Sequence, residues 1–140
     1  MDLDILSASG LDRQAAIRQN VYVRVIRLKP LREFWQRHAD AEVPLRLWYK
    51  TASNAEWDSL QDVRADYPHA DGVQTRTSQT LTVFNIGGHK YRLIARIRYD
   101  HRLINVRCVL THAEYDQGAW KEYADAPDQE AQAREASRPV

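Results

Sequence analysis

Cysteine is nearly absent from this chain: among 140 residues only Cys108 carries a thiol. That excludes an intramolecular disulfide and a metal cluster built from cysteines. Long apolar runs are missing too, and no stretch approaches the ~20 residues a membrane-spanning helix needs. The opening MDLDILSASG is acidic ahead of its apolar residues. No secretory signal is therefore expected, and the cytoplasm is the expected compartment. No internal repeat and no long low-complexity tract is found. What is present, 44% hydrophobic and 28% charged residues, suits one globular domain with a real core.

Acids are scarce in one region. Between 73 and 112, Asp100 alone stands against Arg76, Lys90, Arg92, Arg96, Arg98, Arg102 and Arg107, although the whole chain is only +1. The residues on either side are net acidic. A basic third hidden inside a near-neutral total is where a polyanion would bind.

Periodicity sets the expected elements. VYVRVIRL (21–28) reads as a strand. Pro30 suits the first turn of a helix carrying Leu31, Phe34, Trp35 and His38. Asp40 is the expected N-cap of a second helix, with Leu45, Trp48, Tyr49 and Ala52 inward. Asp58 or Ser59 opens a short third helix that Pro68 ends. The period then changes to two. TLTVFNI (80–86), HKYRLIARIRY (89–99) and LINVRCVLT (103–111) read as three strands, joined by turns at Gly87-Gly88 and Asp100-His101. The predicted class is α+β, with the helices on one face of a small, mostly antiparallel sheet. Three regions are expected: an extension at 1–20 with a possible short helix, a domain at 21–123, and a flexible or helical tail at 124–140.

Alternation sorts the middle strand. Tyr91, Leu93, Ala95, Ile97 and Tyr99 fall on one side, where the Trp-rich helices cover them. Lys90, Arg92, Arg96 and Arg98 fall on the other, which has no evident apolar partner and is expected to face solvent or a groove. Arg107 joins that patch if the register allows. A solvated edge that deters aggregation explains such a face about as well as a site does. Three features favour a site. The cations are mainly arginines, whose planar fork matches phosphate. No acid shares their strand face. And THAEYDQGAW brings His112, Glu114, Tyr115, Asp116 and Trp120 close behind.

Arginine beside histidine, tyrosine and carboxylate is what cleavage of an RNA phosphodiester needs. One group takes the 2′-OH proton, another protonates the leaving 5′ oxygen, and fixed cations stabilise the transition state. The 2′-OH is the nucleophile, so no metal or cofactor is expected. His89, His101 and His112 lie at two turns and a strand end, poor spacing for a metal site. Cys108 is expected in the core, as are Trp35, Trp48 and Trp57.

LREFWQRHADAEVPLRLWYK (31–50), DVRADYPHAD (62–71), VFNIGGHKYRLIARI (83–97) and VRCVLTHAEYD (106–116) together resemble the HigB family of bacterial toxins, ribosome-associated mRNA endoribonucleases of the RelE-like superfamily. The resemblance runs from about Val23 to Lys121. It implies a RelE-like fold, metal-free cleavage of mRNA in the ribosomal A site, and a HigA-like helix-turn-helix antitoxin through which operator DNA is bound. It places Asn85, Lys90 and Arg92 in one motif, Arg107 in the next, and His112 and Tyr115 at the ending. The resulting expectation is Arg92, Arg107, His112 and Tyr115 as catalytic residues and Asn85, Lys90, Arg96 and Arg98 as RNA contacts. Two alternatives are a protein of this fold without RNase activity, serving as a binding or co-repressor partner of its antitoxin, and a basic RNA-binding module.

Overall fold

The computed structural model describes residues 23–125. The expected extension at 1–20 and the tail beyond 125 lie outside the described residues.

Strand β1 (Arg24–Ile26) leads into helix α1 (Lys29–Arg37), where Pro30 occupies the first turn as expected. A 3-10 turn (Ala39–Ala41) then enters helix α2 (Glu42–Ser53), which buries Leu45, Trp48, Tyr49 and Ala52. Asp40 is not the cap: the N-cap is Ala41, with no side-chain hydrogen bond. Asp40 is occupied elsewhere, its carboxylate taking the Lys90 ammonium and the Tyr91 hydroxyl. Helix α3 (Leu60–Asp66) starts as read, with the Ser59 hydroxyl accepting the Asp62 amide at 3.4 Å.

Strands β2 (Asp71–Gln74), β3 (Thr80–Ile86), β4 (Tyr91–Arg98) and β5 (Leu103–Thr111) follow. They make a five-stranded sheet of order β1-β5-β4-β3-β2. The β3-β4-β5 meander forms as expected, and every pairing is antiparallel except β1 with β5. Gly87 and Gly88 hold φ of 62° and 70° in the β3–β4 turn, a left-handed pair that most side chains resist.

One sheet face buries Phe84, Leu93, Ala95, Ile104, Val106 and Val109 under α1 and α2, against Phe34, Leu45 and Trp48. Ile97 and Trp35 pack at its margin. The alternation read from 91–99 therefore points the right way.

The opposite face differs from expectation, because it has its own apolar centre. Leu81, Val83, Ile94 and Leu110 are buried there beneath Trp120 and Ala124. After β5 the chain forms α4 (His112–Gln117), reverses at Gly118 with φ 80°, and lays α5 (Trp120–Tyr123) across the sheet. Trp120, only 1% exposed, is the apolar partner the face was expected to lack.

Candidate functional site

Three strands set the frame. Arg92 on β4 lies between Asn85 on β3 and Leu110 on β5. It is 9% exposed, not the open cation that strand parity implied. Its Nη1 donates to the carbonyls of His89 (2.8 Å) and Tyr91 (3.1 Å). Its guanidinium lies 5.4 Å from the centre of the Tyr115 ring, and Tyr115 stacks on Trp120 at 5.3 Å and 15°. Trp120 Nε1 donates to the Tyr115 carbonyl at 3.0 Å. Arginine, tyrosine and tryptophan thus form one pile, fixed at both ends. Burial, more than nearby Asp71, raises the Tyr115 phenol above its ordinary value. Its O–H is a proton donor at neutral pH.

His112 opens α4. Its backbone N–H reaches the Lys90 carbonyl at 3.1 Å, and its Nδ1 lies 2.9 Å from the Asp116 carboxylate. THAE is also a capping box: the Thr111 hydroxyl accepts the Glu114 amide at 3.2 Å, and Glu114 accepts the Thr111 amide at 2.9 Å. Glu114 therefore serves the helix start. The Thr-x-x-Glu spacing was the available signal for α4.

Arg107 stands apart. Ile94 pairs with Cys108 and Ala95 with Val106, so Arg107 is the extra residue of a β-bulge. The bulge changes strand parity. Val109 lies in the helix-side core and Cys108 in the other. Arg107 is three residues from the partner of Arg92, about 10 Å along the strand. Its Nη1 donates to the Ala124 carbonyl at 2.7 Å and its Nη2 to Gln79 at 3.2 Å. Asp125 completes this latch. Its carboxylate accepts the Thr75 hydroxyl, the Thr77 amide at 3.1 Å and the Thr77 hydroxyl at 2.6 Å.

The remaining cations do not form one patch. Ile94 and Trp120 divide Arg92 from Arg96 and Arg98 along the face. Arg98 meets His101 at 3.3 Å. Lys90 turns to the helix layer and pairs with Asp40. Although no acid shares their strand face, Asp40 and Asp125 arrive from other elements. Cys108 is half-buried, its thiol pushed up to about 12 chiefly by burial, and so is poorly nucleophilic. The three histidines named above fall in separate places: His89 beside Asn85, His101 beside Asp100 and Arg98, His112 beside Asp116. No helix among the described residues is long and apolar enough to cross a membrane.

A mostly antiparallel five-stranded sheet, with α1 and α2 packed on one face and the short α4 and α5 closing the other, is an α+β arrangement of RelE-like fold. Within that class the chain belongs to the HigB toxins: the family model HigB_toxin, described as the RelE-like toxic component of a toxin-antitoxin system, matches residues 41–118. The chain is also similar to the mRNA interferase HigB of Escherichia coli O6:H1, with 23% identity over 95 residues, covering 68% of this chain and 90% of that protein. Over 94 residues it is 23% identical to the mRNA interferase toxin HigB of Escherichia coli K12 and to the mRNA interferase HigB of Shigella flexneri, covering 67% of this chain and 88% of each. The matched span contains Asn85, Arg92, Arg107, His112 and Tyr115, whereas Trp120 and Asp125 lie beyond it.

Proposed function

We propose that this chain is an endoribonuclease that cuts mRNA on the ribosome and so stops translation, without a metal, and that a HigA-like antitoxin restrains it. The observation that carries the reading is the Arg92–Tyr115 pair, a buried guanidinium under a phenol beside Asn85 and the start of the His112 helix. Membership of the toxin family and the names of the mRNA interferase relatives support it.

In this mechanism the substrate 2′-oxygen attacks the adjacent phosphorus as the bond to the 5′ oxygen breaks. The products are a 2′,3′-cyclic phosphate and a 5′-hydroxyl. Tyr115, whose phenol holds its proton at neutral pH, protonates the leaving oxygen, and His112 takes the 2′-OH proton. Arg92 stabilises the charge that builds on the phosphoryl oxygens. Arg107 supplies a second cation along the strand, and Asn85, Lys90, Arg96 and Arg98 hold the RNA.

Loss of His112 or of the Tyr115 hydroxyl should slow cutting by about 10²–10⁴. Loss of Arg92 or Arg107 should slow it by roughly 10²–10³, by analogy with removing an oxyanion-hole donor. The test is cleavage of a translated mRNA by Arg92→Ala, Arg107→Ala, His112→Ala and Tyr115→Phe, each shown folded by circular dichroism. If all four cut within a few-fold of the unmodified chain, the assignment fails. The engagement of Arg107 by Ala124 and Gln79 favours a second reading, a toxin-fold protein that binds its antitoxin without cutting RNA. Strong soluble expression without the antitoxin separates the two, since the nuclease arrests growth and the silent binder does not.

A further inference from the structure

The turn above Arg92 borders a small cleft that shares only Asn85 with the residues proposed above to act on RNA. A cavity of about 160 Å³ opens between the end of α3 and the β3–β4 turn, lined by Tyr67, Pro68, His69, Ala70, Asn85 and Gly88. Pockets for drug-sized ligands run to about 300–1,000 Å³, so this one has room for a single small ring system. Its walls combine rings with one amide. His69 lies with its ring centre 5.9 Å from that of His89, tilted by 58°. His89 in turn meets the Asn85 side-chain amide, Nδ1 to Nδ2, at 3.3 Å. The rings are in direct contact, so a flat ligand stacks on the cavity side of His69 rather than between them. The His89 carbonyl also accepts from Arg92 at 2.8 Å, which ties the cleft to the buried cation three residues further on.

We propose that this cleft holds one nucleobase of the RNA substrate, stacked on His69, with the Asn85 amide reading the base edge and His89 positioning that amide. The proposal rests on the nuclease reading and adds to it a place for the base next to the cut. The chemistry of the cleft is that of single-stranded RNA recognition. An unpaired base offers a π-face to an imidazole and a hydrogen-bonding edge to an amide, and a ring of its size matches the volume. An amide both donates and accepts, so it can discriminate among bases. Gly88 belongs to the same wall: a Cβ built on it meets nothing within 4 Å, so the turn leaves the approach open.

The test uses the full chain and a short RNA whose 2′-oxygens are methylated, which removes the nucleophile and leaves the bases intact. The imidazole proton resonances of His69 and His89 are followed by NMR as the strand is added, and affinity is measured for the unmodified chain, His69→Ala and His69→Phe. The expected result is a shift at His69, a loss of about five- to a hundredfold in affinity for the alanine variant, and recovery when phenylalanine restores a flat ring. The deficit should persist in high salt, because stacking is not screened. An unmoved His69 resonance, or an alanine variant binding within twofold of the unmodified chain, overturns the cleft. The readout does not depend on cutting: failure to cleave mRNA overturns the nuclease reading, whereas failure of His69 to respond overturns this proposal.

Discussion

Asp40 shows how a side chain can leave the role its sequence position suggests. An aspartate just before an apolar helical stripe is a good N-cap, yet here its carboxylate faces Lys90 and Tyr91, fifty residues away. Hydrogen bonds from Lys90, then from Tyr91, hold the Asp40 carboxyl below the usual carboxylate range. A depressed folded-state value contributes stability above the unfolded value near 4, and that contribution is lost as pH falls through the folded value. Asp40→Asn should therefore flatten the acid limb of the stability profile below about pH 4 and leave the neutral limb unchanged in shape. Urea denaturation at a series of pH values checks this. Parallel acid limbs for the two proteins would contradict it. Arg92 makes the complementary point. Its alternation in YRLIARIR gives the correct sheet face, but alternation cannot report that Tyr115 closes over it.

Strict alternation and a Gly-Gly turn made the β3-β4-β5 meander legible, and Pro30 with the Leu31–Phe34 spacing did the same for α1. Elements short of a full period were not. Strand β2 has four residues including Gly72, too few to alternate; β1 lies within the strand read at 21–28, but its parallel pairing with β5 is something no local pattern encodes. The bulge at Arg107 breaks the counting rule itself. Helices α4 and α5 have six and four residues, below the length at which an apolar stripe shows. Their anchors carry the stability. Trp120→Ala, emptying a fully buried site, should cost about 3–5 kcal/mol. Thr111→Ala, removing the cap of α4, should cost about 1 kcal/mol. Denaturant midpoints rank the two, and a Trp120 variant as stable as the Thr111 variant would mean that α5 is not the lid of the second core.

At the scale of the whole molecule, charge is distributed by the fold and not by the chain. The basic third reads as one patch along the sequence, but the sheet separates it into Arg92 under Tyr115, Arg107 in the latch with Ala124 and Asp125, and Lys90 against Asp40. Strand parity could collect the candidate residues; it could not place the acids that come from other elements, nor the tryptophan that divides the face. The fold and the family agree on a toxin, and the chemistry proposed for it makes a specific product. The most direct measurement is the structure of the ends left on an mRNA cut during translation by the unmodified chain and by Arg92→Ala. Cuts ending in a 2′,3′-cyclic phosphate and a 5′-hydroxyl, slowed by roughly 10²–10³ in the variant, are the predicted result. No cuts, or cuts bearing 5′-phosphates, would contradict it.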